Sequence, residues 1–276
     1  MDPSIDSTES QTMQTETMKT EKTTETTGTE VKTVKPQPKL FEGARKNWKF
    51  VLKFLIVSIV FWLIQFAHQY YVLNFELGDA NLGISLVRSF ALAGATYFGF
   101  ALLSSTIFKW KREWNRYWHV RRSFGVMGFV FILFHVLSVI QFYFSGDTSG
   151  IFYSINPFEN PIIFGVIAFP IFFIMAITST DWAVNKLGAK WKIIHRLVYF
   201  GYLASVFHFL LINPKSLMNI MGYLLIVTTF LVLASEVFWF IKTAGKRNFS
   251  TLGTGIGILI IFVYLIISYF AYFVPK

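Results

Sequence analysis

The chain contains five histidines and no cysteine. A neutral imidazole is a common axial ligand of haem iron and of other transition metals. The lack of cysteine excludes disulfides, iron–sulfur clusters and thiolate ligation of haem within this chain. Any metal chemistry would therefore depend on histidine, methionine, tyrosine or carboxylate ligands. The candidate ligands are His68, His119, His135, His195 and His208.

Seven apolar segments must position these residues, and four of the five histidines lie inside them. Each segment has about 20 residues or more, which as a helix crosses roughly 30 Å of hydrocarbon. An ionisable side chain inside such a span is costly and usually has a function. Pro170 predicts a kink in the fourth span. The predicted spans are residues 49–73, 84–108, 123–144, 161–180, 192–213, 217–241 and 253–273.

Composition supports a membrane protein. The 276 residues are 54% hydrophobic and 19% aromatic, and a soluble domain of this size cannot bury so much apolar surface. The formal net charge of +10 does not indicate nucleic acid binding, because the basic residues flank the apolar segments. We predict an all-α, polytopic helix bundle in the cell membrane, with the lipid bilayer as its surroundings.

The distribution of Lys and Arg predicts the orientation. Of the 25 basic residues, 22 fall on one side of the predicted bundle, and the other side keeps Arg88, Lys215 and Lys276. The positive-inside rule then gives a cytoplasmic N-terminus. Seven spans place the C-terminus outside.

Two regions differ in composition. Residues 1–40 are rich in Thr, Glu and Lys without an apolar stretch, which predicts a disordered cytoplasmic tail. Residues 45–276 form the predicted transmembrane domain.

Two histidines are predicted to lie at one depth. His135 comes about 12 residues into the third span, roughly 18 Å from its cytoplasmic end. His208 lies 13 residues after His195, which begins the fifth span at the cytoplasmic side, and is therefore roughly 20 Å deeper. Two imidazoles at one depth on two helices can hold one haem iron from both sides.

His195 marks a second candidate site near the inner face, with His119 as its candidate partner. Thirteen residues turn an α-helix by about 1300°, so the side chains of His195 and His208 point roughly 140° apart around the helix axis. Two stacked haems would therefore need a local distortion, offset rings, or only one true ligand in the fifth span. Structural roles stay open for both inner residues, as an interfacial basic residue for His119 and a packing residue for His195. His68 is interpreted as a packing residue.

Two motifs resemble a known family. The run from Thr178 to Phe209 reads TSTDWAVNKLGAKWKIIHRLVYFGYLASVFHF, and Arg121-Arg122-Ser123-Phe124-Gly125 precedes His135. They resemble the ferric reductase-like transmembrane domain family, and within it the haem-binding membrane subunits of bacterial periplasmic methionine sulfoxide reductases. The resemblance is specific over about residues 115–213, which we expect to be the haem-binding core.

The resemblance implies a b-type cytochrome that passes electrons across the membrane. It implies that His135 and His208 hold one haem b and that His195 serves a second, inner haem. The donor would be a quinone or a cytoplasmic flavin reductase with FMN, and the acceptor an external redox protein. From charge and depth we add that Arg121, Arg122 and Arg196 could neutralise haem propionates; anchoring by the positive-inside rule explains them equally well.

Three alternatives stay open. A ferric or other metal reductase subunit belongs to the same class, and a cofactor-free small transporter or structural membrane protein to another. No nucleotide-binding domain accompanies the bundle in this sequence, so we expect an electron-transfer subunit rather than an enzyme that oxidises NAD(P)H itself.

The seventh span and the tail depart from the family pattern. Residues 253–257 read GTGIG and open a span, which favours helix packing over nucleotide binding. Glu236 is either a proton relay or the partner of a nearby basic residue.

Overall fold

A computed structural model describes residues 48–73, 81–212 and 219–243, which all belong to one compact unit. Every regular element in these ranges is helical. The seventh predicted span and the predicted tail lie outside them. The elements are α1 (Trp48–Ala67) continued by a π-helical turn (His68–Leu73), α2 (Leu82–Trp110), a 3-10 turn (Arg112–Tyr117), α3 (Trp118–Phe142), a 3-10 turn (Ser149–Phe152), α4 (Ile162–Ile177), α5 (Asp181–Leu187), α6 (Ala189–Ile194), α7 (Leu197–Ile212) and α8 (Ile220–Thr243).

The predicted multi-pass helix bundle is confirmed in its coarse form. Five helical segments in the described ranges are long and apolar enough to cross a membrane, and α6 and α7 together make one of them. A sixth appears if α4 and α5 count as one span, although the two helices are bent by 94°. The seven-span count and the orientation remain predictions.

Helix α2 is the centre of the bundle. Within its apolar stretch 61% of the residues are buried, against 11% for α1 and 17% for α3. The apolar faces that α1 and α3 leave exposed are those that a bilayer would cover. On α2, the ring of Phe98 stacks on that of Phe172 in α4 with centroids 3.9 Å apart. This contact forms part of a core that includes Tyr202 of α7.

One side-chain oxygen and one glycine set the two ends of α5, the short helix that follows the turn after α4. Thr180 begins α5 by accepting a hydrogen bond from the backbone N–H of Ala183, as expected of an N-cap. Gly188 ends α5 at a backbone φ of +50°, a left-handed conformation that favours glycine. The predicted fourth span, 161–180, is therefore the 16-residue helix α4 followed by a sharp turn.

Two helix boundaries differ from the prediction. Helix α3 begins at Trp118 rather than at residue 123, because the basic residues before residue 123 continue the helix instead of ending it. His119, which lay outside the predicted third span, is therefore helical. The predicted fifth span is interrupted at residues 195 and 196, between α6 and α7.

Close helix packing in the core predicts an intolerant glycine. A Cβ atom at Gly99 on α2 would lie 2.4 Å from Cγ2 of Thr228 and 2.8 Å from the hydroxyl of Tyr202. Both neighbours are buried, so neither can move freely. We predict that Gly99→Ala destabilises the purified protein by about 1–3 kcal/mol through overpacking, measured by thermal unfolding in detergent.

The matched control is Gly125→Ala on α3, where an added Cβ meets no atom within 4 Å. This change should be neutral, or stabilising by up to about 1 kcal/mol through helix propensity. Equal melting temperatures for the two variants would refute the packing of α2 against α7 and α8.

Candidate functional site

His135 is held on α3 by the backbone of α2. Its Nδ1 lies 2.9 Å from the carbonyl oxygen of Val87. A carbonyl oxygen can only accept, so Nδ1 carries the proton and donates it. Nε2 of His135 is then the unprotonated nitrogen, which is the form that binds a metal ion.

His208 on α7 is held in the same way by the start of α4. Its Nδ1 donates to the carbonyl oxygen of Pro161 at 2.9 Å. The ring lies against Gly165, where a Cβ atom would come within 3.1 Å of Cε1 and Nδ1. The absence of a side chain at residue 165 therefore gives the imidazole its place between α4 and α7.

The two imidazoles meet inside the bundle. Their ring centroids lie 6.2 Å apart, and the ring planes are inclined by 73°. An imidazole nitrogen binds a first-row metal ion such as zinc at about 2.0–2.1 Å, which places two rings on opposite sides of one ion at centroids roughly 6 Å apart. The spacing of His135 and His208 fits one shared iron.

The surroundings of the pair also fit a bound group. Protein encloses both rings, and each residue keeps part of its surface accessible. Among the described residues, neither Nε2 atom has a hydrogen-bond partner. Within the same ranges no three His, Asp or Glu side chains cluster as ligands of a metal ion. The donor set is two neutral nitrogens, which suits haem iron.

His195 lies just after α6, at the end of the bundle that is predicted to face the cytoplasm and is called the inner end below. Its Nε2 is 3.1 Å from the hydroxyl of Thr178, and its ring stacks on Trp191 at 3.9 Å. Trp191 in turn donates from Nε1 to the carbonyl oxygen of Thr178 at 2.9 Å. The break between α6 and α7 is a local distortion, which is one of the three arrangements that the spacing of His195 and His208 left open. A metal ion at Nε2 would have to displace the Thr178 hydroxyl.

The structure does not bring His119 to His195. His119 is exposed on the first turn of α3, and its ring packs edge-on against Phe50 of α1 at 4.8 Å. Among the residues described, no contact joins the two histidines. His195 instead has Arg121 and Arg122 as its charged neighbours.

The three predicted arginines have different surroundings. Arg122 pairs with Asp181 of α5 at 2.9 Å. Arg121 lies over the ring of Trp118 at 4.7 Å and interacts electrostatically with Tyr199 and Glu236. Arg196 is exposed. Arg121 and Arg122 therefore lie near the inner histidine, and each already has a partner.

Glu236 on α8 belongs to an inner polar network. It accepts hydrogen bonds from the hydroxyls of Thr106 at 3.1 Å and Tyr199 at 2.9 Å. These bonds join α8 to α2 and α7, and Arg121 is the neighbouring basic residue.

Sequence reasoning missed the groups that orient the two central imidazoles. Val87 and Pro161 act through backbone carbonyl oxygens, which no side-chain motif reveals. The predicted span boundary at Pro161 gave no signal for its carbonyl oxygen, because the start of a helix leaves N–H groups rather than carbonyl oxygens without helical partners.

Comparison with known proteins supports a family relationship for the central part of the chain. Residues 89–206 match the family described as "Ferric reductase like transmembrane component". This confirms the resemblance predicted from the sequence and extends it into α2, where we had expected only an architectural likeness. The matched segment contains His135 and His195 and ends two residues before His208.

Curated relatives include heme-binding subunits. The protein-methionine-sulfoxide reductase heme-binding subunits MsrQ of Brucella ovis, Brucella canis and Brucella suis are each 32% identical over 93 residues. The match covers 33% of this chain and 41% of each relative, so it spans less than half the length of these proteins. No solved structure matches this chain.

The ion pair between Arg122 and Asp181 generates a prediction. Both side chains are about one-fifth exposed, and a partly exposed pair contributes little to stability. We predict a coupling energy of about 0–1 kcal/mol in a double-mutant cycle of Arg122→Gln and Asp181→Asn, measured by thermal unfolding. A loss of more than about 3 kcal/mol in Asp181→Asn alone would contradict this, because it would indicate a buried charge left without compensation.

Proposed function

We propose that this chain is a b-type cytochrome, the electron-carrying membrane subunit of a two-component reductase. The observation that carries the proposal is the pair of imidazoles 6.2 Å apart, each with Nδ1 bonded to a backbone carbonyl oxygen. The match to a ferric reductase like component over residues 89–206 supports it. So do the relatives whose names describe heme-binding subunits.

In this proposal His135 and His208 are the axial ligands of one haem b. The haem supplies reversible one-electron chemistry when bound. The protein's part is orientation. The carbonyl oxygens of Val87 and Pro161 hold each ring so that Nε2 is unprotonated, and a hydrogen bond at Nδ1 raises the basicity of the ligating nitrogen.

The inner end of the bundle is proposed to receive electrons, from a quinone or a flavin reductase that carries FMN. His195 would serve a second haem there, and it would exchange its bond to Thr178 for the metal. Arg121 and the exposed Arg196 remain candidates for binding propionates. Arg122 is a weaker candidate because it already pairs with a carboxylate, that of Asp181.

The outer end is proposed to deliver electrons to an external reductase. The names of the relatives indicate a protein-methionine-sulfoxide reductase as the model for this partner. Reduction of ferric ions or another metal outside the cell is the second candidate, favoured by the description of the matched family.

Substitution of the paired histidines tests the proposal. We predict that purified wild-type protein is red, with a Soret band that shifts on reduction by dithionite. His135→Ala and His208→Ala should each lose the outer haem entirely, because one imidazole cannot replace the other. Haem content per protein, measured as the pyridine haemochrome, gives the result.

The matched control is His119→Ala, which removes an exposed imidazole on the same helix as His135 and should keep full haem content. A folded but colourless wild-type protein would refute the proposal and favour a cofactor-free transporter. Full haem content in both His135→Ala and His208→Ala would refute the ligand assignment.

The orientation is a second prediction, and the cysteine-free sequence makes it easy to test. Thr148→Cys and Lys190→Cys place one thiol each at exposed positions on opposite ends of the bundle. In intact cells, a membrane-impermeant maleimide should label Thr148→Cys, and it should reach Lys190→Cys only after the cells are permeabilised. The reverse labelling pattern would show that the bundle has the opposite orientation in the membrane.

A further inference from the structure

The loop between α3 and α4 presents apolar side chains at the outer end of the bundle. Ile155 is 84% exposed, the largest value among the exposed large apolar residues. Three aromatic neighbours share this surface, which we name the outer patch. Its members are Phe152, Tyr153, Ile155 and Phe158.

The outer patch is exposed on a well-ordered loop. Asn160 is fully buried, and its Nδ2 donates to the carbonyl oxygens of Ile151 at 2.7 Å and Ser154 at 2.9 Å. The hydroxyl of Tyr153 donates to the carbonyl oxygen of Glu159 at 2.6 Å. These bonds fix the backbone, so the exposure of the patch follows from the loop's own structure.

The same loop holds the ring of His208. Pro161, which follows Asn160 directly, supplies the carbonyl oxygen that binds Nδ1 of His208. Phe158 of the patch contacts Phe164 of α4 at 6.3 Å between centroids. Phe164 in turn contacts Phe207, the neighbour of His208, at 6.0 Å. The patch is thus connected to the outer histidine pair through the Pro161 carbonyl oxygen and through ring contacts that end at the residue before His208.

The charge of the loop is negative. Residues 143–160 contain Asp147 and Glu159 and no Lys or Arg. The backbone N–H of Ser149 donates to Asp147 at 2.9 Å; this bond, with another from the Ser149 hydroxyl, lowers the pKa of Asp147. The loop therefore keeps its negative charge near neutral pH.

We propose that the outer patch is the docking surface for a soluble external redox protein whose contact face has an apolar centre and a basic rim. The inference rests on the proposed function. An apolar centre surrounded by charge is the usual arrangement of a protein interface, and complementary charge speeds encounter. In the docked pair the oxidised centre of the partner gains the one electron that the reduced haem loses, and no atom is transferred.

The competing occupant is the lipid surface, because aromatic residues also gather at membrane interfaces. The carboxylates of the loop favour the protein partner, since ionised carboxylates stay in water and the loop contains no Lys or Arg that a lipid phosphate would attract. Whether water reaches Ile155 distinguishes a patch that is free to bind a soluble protein from a patch that lies in lipid.

The first arm of the test is thiol labelling in lipid nanodiscs. Ile155→Cys should react with a water-soluble maleimide at a rate near that of Thr148→Cys. Leu137→Cys, at an exposed apolar position five residues before the end of α3, is the lipid-facing control and should stay unreactive. An Ile155→Cys variant as unreactive as Leu137→Cys would place the patch in lipid and overturn the proposal.

The second arm measures electron delivery with two probes, oxidised cytochrome c as a basic protein and ferricyanide as a small ion. A polyethylene glycol maleimide on Ile155→Cys should slow oxidation of the dithionite-reduced haem by cytochrome c at least about tenfold, by blocking docking. Oxidation by ferricyanide should change little. The same polymer on Lys190→Cys, at the opposite end, is the control and should leave both rates unchanged.

The outcomes separate the two claims. An unlabelled variant without a Soret band would refute the proposed function. A variant with normal haem whose oxidation by cytochrome c is unaffected by the polymer would refute the docking surface alone.

Discussion

Two hydrogen bonds from imidazole N–H groups to backbone carbonyl oxygens determine what this bundle can do. His135 donates to Val87 and His208 to Pro161, each at 2.9 Å. In an apolar interior an imidazole without a partner is strongly disfavoured, so each bond fixes both the place and the protonation of its ring. Both Nε2 atoms are left unprotonated, which is the form that the proposed ligand pair for one haem iron requires.

Close packing of the helices brings each carbonyl oxygen within hydrogen-bond distance of its imidazole. The carbonyl oxygen of Val87 reaches α3 because α2 and α3 pack closely at Gly94, where a Cβ atom would lie 2.7 Å from Ile132. The carbonyl oxygen of Pro161 reaches α7 because α4 begins there, and Gly165 leaves room for the ring of His208. The same start of α4 connects to the outer loop, so the element that orients a ligand also forms the surface proposed to receive the partner.

The sequence predicted the helical class, most of the spans and the depth of the paired histidines, because apolar length and helix rise determine them. It could not predict Val87 and Pro161 as partners, since every residue carries a backbone carbonyl. The predicted third span began too late, at residue 123, because a cluster of basic residues resembles a span boundary. In the structure the helix begins at Trp118, and Arg121 lies over the ring of Trp118. The bend of 94° between α4 and α5 lies at residues 178–180, where Thr180 caps the start of α5, a role that appears only when the backbone angles are known.

The measurement that tests the central claim most directly is the electron paramagnetic resonance spectrum of the oxidised, purified protein. We predict a low-spin ferric signal of the type given by two imidazole ligands, because His135 and His208 would each supply one neutral nitrogen to the proposed haem. A high-spin, five-coordinate signal, or a protein that binds no haem at all, would contradict it.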